Sequence, residues 1–126
     1  MTFRCARHTN NLEKLKYFYT VILGLEILGK FENHNGYDGI FLGKSDLNWH
    51  LEFTQTFDKV QSSFNDDDNL VFYPNNQLEF NELLKRIDEN CVPIIKAKNP
   101  YWNENGKMIL DPDGYRIVIS NLKINN

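Results

Sequence analysis

Positive charge is scarce in this chain of 126 residues. It has 14 lysines and arginines against 17 aspartates and glutamates, which gives a formal net charge of −3. Nucleic acid is excluded as the main partner, because phosphate binding requires a basic surface. Long apolar runs are also missing, and those present are far too short to span a bilayer. No charged segment followed by an apolar one opens the chain, so we expect a cytoplasmic protein with no membrane partner.

Cysteine is nearly absent, since the sequence has only Cys5 and Cys91. A distant pair in a cytosolic protein is more often two reduced, buried thiols than a disulfide. The usual cofactor and catalytic signatures are missing as well: there is no glycine-rich phosphate loop, no CxxC motif and no serine nucleophile elbow. The sequence therefore offers no cofactor fingerprint, and we expect no cofactor.

The first half of the chain predicts a strand, a helix and three more strands. Residues 2–8 predict the first strand, and NNLEKLKYFYTVILG predicts a helix that is capped by Asn11 and ended by Gly24. The segments LEILGKFE, YDGIFLG and NWHLEFTQ predict the remaining strands, with a hairpin turn at Asn35-Gly36. These elements form a predicted module over residues 1–54.

A polar, acidic stretch follows, and we predict a linker over residues 55–68. Phe57 and Phe64 lie inside it, which indicates that the linker docks against something. The run Asp66-Asp67-Asp68 is typical of a solvated loop, because the further oxygen ligands that calcium needs are missing.

The second half, residues 69–126, repeats the pattern. NLVFY predicts a strand, and VPIIKA, KMIL and YRIVIS predict three more, with turns at Asn105-Gly106 and at DPDG. Between NLVFY and VPIIKA, the segment NNQLEFNELLKRIDEN predicts a helix whose apolar stripe is Leu78, Leu83, Leu84 and Ile87. The repetition predicts paired modules that bury a shared core.

The paired modules, with LEKLKYFYTVILGLEIL early and DPDGYRIVI at the end, resemble the vicinal oxygen chelate superfamily. That superfamily includes glyoxalase I, bleomycin-resistance proteins and extradiol dioxygenases. FYTVILGLE, HLEFTQ and NPYWNENGKMILDPDGYRIVI look especially close to a bacterial glyoxalase-like subgroup. The resemblance covers nearly the whole chain and implies an α+β fold. Two βαβββ modules would form curved mixed sheets around a cavity, with the helices on the outer face, in one structural domain.

The metal enzymes of this superfamily take one ligand from the first strand of each module and one from the last. Carried onto this chain, the resemblance gives Arg4, Glu52, Asn69 and Val118. Only Glu52 is a good ligand. Arginine is a permanent cation, valine has no donor atom, and asparagine is a weak ligand for a transition metal. The resemblance therefore implies the fold without the standard metal.

Alternation along strands places other polar residues beside these positions. His50 and Thr54 share a face with Glu52, His8 shares one with Arg4, and Arg116 shares one with Val118. Two alternatives to ligand binding stay open. In the first, Arg4 and Glu52 form a structural ion pair with each other. In the second, Arg116 points to solvent. The candidate ligand-binding residues are Arg4, His8, His50, Glu52, Asn69, Tyr101, Trp102 and Arg116.

Tyr101 and Trp102 lie in a predicted loop before the Asn105-Gly106 turn. They either cover the edge of the core or line a pocket as a lid, since aromatic walls are typical of small-molecule sites. Pro100 stiffens the start of this loop, which favours the lid.

Two functions follow from these residues. The first is a small-molecule-binding protein of the glyoxalase/bleomycin-resistance type, without the standard metal, that serves resistance or sequestration. It would hold an anionic or mixed-charge ligand through Arg4 and Arg116. The alternative is a metal-dependent lyase or dioxygenase-type enzyme, with a divalent metal displaced to His8, His50 and Glu52. In either case we expect a homodimer, because two-fold association is the commonest in soluble proteins.

Overall fold

Seven strands and three α-helices make up the computed structural model, which describes residues 1–61 and 63–125. In chain order the elements are β1 (Phe3–His8), α1 (Leu12–Tyr17), β2 (Glu26–His34), β3 (Tyr37–Gly43), β4 (Trp49–Gln55), β5 (Asn69–Phe72), α2 (Gln77–Glu89), α3 (Pro100–Glu104), β6 (Gly106–Leu110) and β7 (Arg116–Ser120).

The chain divides into two compact units, Met1–Ser62 and Ser63–Asn126. Each has its own mixed sheet, so the predicted α+β fold of two βαβββ-type modules is confirmed. Ser62, in the predicted linker, and Asn126, in the predicted second module, lie outside the described residues. Within the described ranges, no helix is long and apolar enough to cross a membrane.

In the first unit the four strands lie in the order β1-β4-β3-β2, and β1 runs parallel to β4. The predicted hairpin turn is present: Asn35 and Gly36 have φ values of 53° and 85°, which suit the tight turn between β2 and β3. The predicted helix begins as expected, because the Asn11 side chain accepts a hydrogen bond from the backbone N–H of Lys14 at 3.1 Å. It continues from α1 into a π-helical segment, Phe18–Ile22, before Gly24 with φ 82°.

The core of the first unit lies on one side of its sheet. Tyr19, which is fully buried, packs against Phe53 with ring centroids 4.8 Å apart. The other buried side chains include Leu15, Ile22, Ile40, Leu42 and Leu51. Because side chains alternate along a strand, the even-numbered residues of β4 point to the opposite side. We call that opposite side the polar face.

In the second unit the strand order is β5-β7-β6, with β5 parallel to β7. The predicted DPDG turn is present: the backbone N–H of Gly114 donates to the Asp111 carbonyl at 2.9 Å, and Gly114 has φ 86°. Ile117 and Ile119 are fully buried on one side of β7. Val118 is fully buried on the other side, in an apolar cluster with Ala97 and Met108.

The predicted strand VPIIKA is wrong, because only Ile95 pairs, in a single bridge to Met108. Pro93 has no N–H to donate to a sheet. The backbone of Ala97 is held instead by the side-chain amide of Asn103. That amide accepts from the Ala97 N–H at 2.7 Å and donates to the Ala97 carbonyl at 3.0 Å. A side chain thus takes the place of a neighbouring strand.

The predicted loop and turn over residues 99–106 are also wrong, since residues Pro100–Glu104 form helix α3. Asn99 caps this helix by accepting from the Tyr101 N–H at 3.1 Å, and Pro100 occupies the first turn. Asparagine followed by proline is a helix-start signal, because proline at the first helical position lacks only an N–H that would be unpaired anyway. Gly106 belongs to β6 and not to a turn.

The apolar stripe of α2 differs from the prediction. Leu83 and Ile87 are buried as expected, but Phe80 is the third buried residue and Leu78 is 68% exposed. Leu78 lies in the first turn, one residue after the start of the helix. The start of the apolar stripe was therefore placed two residues too early.

Three smaller expectations have mixed outcomes. Both cysteines are free, as predicted, but neither is buried: Cys5 is partly exposed and Cys91 is exposed. In the predicted linker, the ring of Phe64 packs against Tyr115 with centroids 4.7 Å apart, whereas Phe57 is fully exposed. Asp66, Asp67 and Asp68 are exposed, as predicted for a solvated loop, and Asp66 also forms an ion pair with Arg116.

Candidate functional site

The polar face of the first unit is ordered in three rows that cross the sheet. Pairing between strands sets each row, so neighbours within a row lie side by side on adjacent strands. The rows are His8, Thr54, Gly39 and Phe31; Ala6, Glu52, Phe41 and Gly29; and Arg4, His50 and Gly43. This face carries four of the predicted site residues.

Arg4, on the edge strand β1, contacts three other residues of this face. Its Nε donates a hydrogen bond to Nε2 of His50 at 3.0 Å, and its Nη1 lies 3.5 Å from Oε1 of Glu52. Its guanidinium carbon lies 4.9 Å from the centre of the Phe41 ring, in a cation–π contact. The structure therefore brings Arg4, His50 and Glu52 together, as the register of β1 on β4 requires.

The contact with Arg4 fixes the proton position on His50. Arginine has only donors, so Nε2 of His50 must be the acceptor. A neutral His50 ring then carries its proton on Nδ1. The ring also meets Phe41 edge-on, with centroids 5.9 Å apart. His50 acts as an uncharged partner that holds Arg4.

The Arg4 side chain is half exposed, whereas that of Glu52 is only 14% exposed. Nη2 of Arg4 has no hydrogen-bond or ion-pair partner among residues 1–61 and 63–125. The predicted ion pair between Arg4 and Glu52 is thus present, but it occupies only part of the guanidinium. The remaining N–H groups of Nη2 are available to an external acceptor.

His8 lies apart from this group. Its Nδ1 is 2.9 Å from the Thr54 hydroxyl, and its Nε2 is 3.4 Å from the Thr56 hydroxyl. Thr54 is four residues along β4 from His50, a separation of about 13 Å at a strand rise of about 3.3 Å per residue. His8 is therefore occupied at the far end of the polar face.

The alternative metal set of His8, His50 and Glu52 is not brought together. Metal donors must converge within roughly 2.0–2.3 Å of one ion. In the part of the chain that the structure describes, no group of three or more His, Cys, Asp or Glu residues is placed to hold a metal. The reason is the register, which places His8 beside Thr54 and not beside His50.

The standard metal positions do not fit a metal either. Arg4 and Glu52 are committed to each other, and a guanidinium cannot coordinate a cation. In the second unit, Val118 is fully buried among apolar side chains: Ala97, Met108, Val71, Ile95 and Trp102. No step of a reaction is assigned to a metal at these positions.

The predicted site residues of the second unit have other neighbours. Asn69 lies beside Arg116 in the pairing of β5 with β7, and Nδ2 of Asn69 donates to the Asp67 carbonyl at 3.2 Å. Arg116 is ion-paired with Asp66, and its side chain is 21% exposed. That pairing was not foreseen, although the acidic run before β5 was a signal for it.

Tyr101 and Trp102 are neighbours on α3, with ring centroids 4.9 Å apart and nearly perpendicular planes. Trp102 packs against the Val118 cluster, whereas Tyr101 is 49% exposed. Trp102 therefore covers the edge of the core. A role for these rings at a ligand stays a prediction.

Two aromatic residues of the polar face were missed from the sequence. Phe31 and Phe41 are partly buried, with centroids 5.8 Å apart and planes tilted by 48°. The signal was present in YDGIFLG, where Gly39, Phe41 and Gly43 alternate with the buried Ile40 and Leu42. Alternation had been applied to β1, β4 and β7 but not to β3.

Comparison with known proteins agrees with this fold. Residues 3–54 match the model of the YycE-like N-terminal domain, and residues 67–121 match that of the YycE-like C-terminal domain. YycE of Bacillus subtilis strain 168, described as an uncharacterized protein, is 38% identical over 121 residues, which cover 95% of this chain and 87% of YycE.

Solved structures extend the comparison. A crystal structure of B. subtilis YycE, a protein of unknown function assigned provisionally to the glyoxalase/fosfomycin-resistance type, superposes with a TM-score of 0.88 at 36% identity, covering 99% of this chain and 92% of that one. Leishmania major glyoxalase I superposes at 0.76 with 22% identity, covering 98% and 87%. TnmS3, an antibiotic binding protein from Streptomyces sp. CB03234, superposes at 0.68 with 19% identity, covering 96% and 94%. This chain belongs to the YycE-like family, within the vicinal oxygen chelate superfamily of glyoxalases and bleomycin-resistance proteins.

Proposed function

We propose that this protein binds a small organic ligand, anionic or of mixed charge, on the polar face of its first sheet. Arg4 is the anchor, and the ligand is held without the standard metal. The observation that carries the proposal is the state of Arg4: its guanidinium is fixed by His50, Glu52 and Phe41, and its Nη2 is left for an external acceptor.

A fixed guanidinium suits ligand binding, because little side-chain freedom remains to be lost when the ligand arrives. Hydrogen bonds from arginine to an oxyanion are among the stronger ones in proteins. Glu52 faces the same surface, and its carboxylate has only the 3.5 Å contact with Arg4 in the described part of the chain. A ligand with a donor group beside its anion could engage both residues.

Arg116, the second proposed anchor, is less suited to this role. Its ion pair with Asp66 is 2.5 Å long, against 3.5 Å between Arg4 and Glu52, and its side chain is 21% exposed, against 50% for Arg4. A ligand anion would have to displace a closer carboxylate from a less accessible guanidinium. We therefore keep Arg4 as the main anchor. His8, on the same face, remains a proposed contact, and Asn69, Tyr101 and Trp102 remain proposed ligand-binding residues of the second unit.

Sequestration of a toxic compound is the role we propose for such a site. The proposal is supported by one structural relative, TnmS3, that is described as an antibiotic binding protein. Sequestration needs a rigid binding surface and no reacting group. The Arg4 guanidinium, which is held by His50, Glu52 and Phe41, provides such a surface. We place the protein in the cytoplasm, with a small molecule as its partner and not a membrane or a nucleic acid.

A thermal shift screen with metabolites and antibiotics tests this function. A ligand present at about 100 times its Kd stabilises the native state by about 2.7 kcal/mol, which raises the Tm by several degrees in a domain of this size. We expect organic anions among the stabilising compounds, and Arg4→Gln should abolish their effect. Lys14→Gln, which removes one exposed positive charge from α1, is the matched control and should bind as the natural protein does.

The alternative, a metal enzyme at His8, His50 and Glu52, predicts a different result. Protein purified without a histidine tag would contain stoichiometric zinc, nickel, manganese or iron, and His50→Ala would lose it. Stabilisation by divalent metals, with no stabilisation by any organic compound, would contradict the proposed function.

A further inference from the structure

We infer that the ligand is a planar aromatic carboxylate, with its carboxylate on Nη2 of Arg4 and its ring against Phe31 and Phe41. This inference rests on the proposed function and narrows it to a class of compound. It depends on three features of the polar face: the free edge of the guanidinium, the charge balance around it, and the aromatic surface beside it.

The free edge of Arg4 favours an anionic acceptor. Nε is used by His50 and Nη1 by Glu52, while Nη2 has no partner among residues 1–61 and 63–125. The two N–H groups of Nη2 diverge in the guanidinium plane, so one of them donates to a ligand oxygen. A carboxylate oxygen suits this N–H, because a hydrogen bond between two charged groups is stronger than one between neutral groups.

The charge balance selects against small inorganic anions. Arg4 carries one positive charge and Glu52, 3.5 Å away, carries one negative charge. Their sum is zero, and the pair attracts a distant anion only weakly. Because Coulomb attraction contributes little, the apolar part of the ligand must supply much of the affinity.

The apolar part finds aromatic rings on the same face. Phe41 lies under the guanidinium, and Phe31 lies next to Phe41. Both rings are partly exposed. A ligand ring bound beside them gains contacts that an aliphatic ring of similar size does not, because aromatic pairs attract through their quadrupoles in stacked or edge-to-face arrangements.

Glycines keep this surface clear. A Cβ at Gly39 would lie 2.3 Å from the tip of the Phe31 ring, and a Cβ at Gly29 would lie 3.3 Å from the Phe41 ring. Ala6, in the same row as Glu52 and Phe41, is small and exposed. The rings lie low on the sheet as a result, and a flat ligand can approach Arg4 from the side of Ala6.

Four probes measured by isothermal titration test the inference: 2-naphthoate, 2-naphthylmethanol, decahydronaphthalene-2-carboxylate and inorganic phosphate. We expect 2-naphthoate to bind at least about tenfold more tightly than each of the others, since only it has both the planar ring and the carboxylate. Arg4→Gln should weaken 2-naphthoate by about tenfold or more, and Lys14→Gln by less than about twofold.

Phe31→Leu separates the ring contact from the anion contact. It should reduce the preference for 2-naphthoate over decahydronaphthalene-2-carboxylate to below about threefold, while both compounds still depend on Arg4. Circular dichroism and urea unfolding confirm that each variant is folded before it is titrated.

The outcomes distinguish this inference from the function on which it rests. Equal binding of 2-naphthoate and decahydronaphthalene-2-carboxylate, both lost in Arg4→Gln, overturns the inference that the ligand is aromatic but still supports an anion site at Arg4. Tighter binding of 2-naphthylmethanol than of 2-naphthoate overturns the carboxylate contact. Binding that is unchanged in Arg4→Gln for all probes and for all stabilising compounds of the screen overturns both.

Discussion

Asp111 shows how much a single side chain can decide in this protein. It is 4% exposed, and its Oδ1 accepts hydrogen bonds from the backbone N–H groups of Asp113 at 2.9 Å and Tyr115 at 3.0 Å. It thereby shapes the turn that leads from β6 into β7. A residue at a turn is expected to be exposed, but here the acceptor is buried because the turn itself closes over it.

Asp111→Ala should lower the free energy of unfolding by about 2 kcal/mol, because two partly buried N–H groups lose their acceptor. Asp111→Asn retains Oδ1 and should lose less than about 1 kcal/mol. Urea unfolding followed by tryptophan fluorescence measures both. Equal destabilisation by the two variants would show that the negative charge, and not the acceptor, stabilises the turn.

Arg4 and Arg116 show a second lesson at the residue scale. Both arginines were candidate anchors from the sequence, and both lie on strands of a sheet. Their surroundings differ: Arg4 contacts His50, is half exposed and lies 3.5 Å from Glu52, while Arg116 is 21% exposed and lies 2.5 Å from Asp66. These distances and exposures depend on the folded chain and cannot be predicted from the sequence.

At the scale of elements, two leucines of helix α2 differ sharply in their exposure to solvent. Leu83 is 5% exposed and Leu78 is 68% exposed, although both belonged to the predicted apolar stripe. The helix begins with a strong cap, since Asn76 accepts from the Glu79 N–H at 2.8 Å and the Glu79 side chain accepts from the Asn75 N–H at 3.0 Å. The cap determines the residue at which the helix starts. With this start, Leu78 lies in the first turn and its side chain faces solvent.

Leu83→Ala should destabilise the protein by about 3 kcal/mol, because it leaves a cavity in the core of the second unit. Leu78→Ala should change the free energy of unfolding by less than about 0.5 kcal/mol, as for an exposed position. Both variants replace leucine by alanine in the same helix, so a difference between their free energies of unfolding reports the difference in burial. A cost for Leu78→Ala as large as that for Leu83→Ala would mean that Leu78 is covered in solution.

The strands show how one scaffold supports two different surfaces. In both units the first and last strands are adjacent and parallel, so Arg4 pairs with His50 as Asn69 pairs with Arg116. Two residues further along, Ala6 pairs with Glu52 and Val71 pairs with Val118. The first unit has a polar, partly exposed face at these positions, while Val118 in the second lies in an apolar cluster.

At the scale of the whole molecule we expect a homodimer. The polar face of the first sheet is partly exposed, with the Arg4 side chain at 50%, and such a face needs a partner or a ligand to cover it. Two-fold association is the commonest way in which soluble proteins supply such a partner. Light scattering at micromolar concentration should give twice the chain mass of 14.9 kDa. A single stable species at the chain mass would refute the dimer.

The sequence by itself determined the elements whose signals are local. Asn11 and Asn76 cap helices, Asn35-Gly36 closes the hairpin, and period-two alternation marks β4. Each depends on residues within a few positions of one another, so the backbone preferences and hydrogen bonds are readable in the chain. The repetition of these elements predicted the paired modules, whereas the family was indicated by the resemblance of longer segments to known proteins.

The tertiary structure alone decided which residues meet. Arg4 and His50 are 46 positions apart, and they touch only because β1 pairs with β4 in one register. A different register would have placed His8 beside Glu52 and made the metal hypothesis geometrically possible. Likewise, Asn103 replaces a strand partner for Ala97, which no local preference predicts. The strand register depends on packing across the whole sheet, and so does the way in which the Asn103 side chain takes the place of a strand. That is why the fold could be predicted from the sequence, whereas the contacts at the candidate site could not.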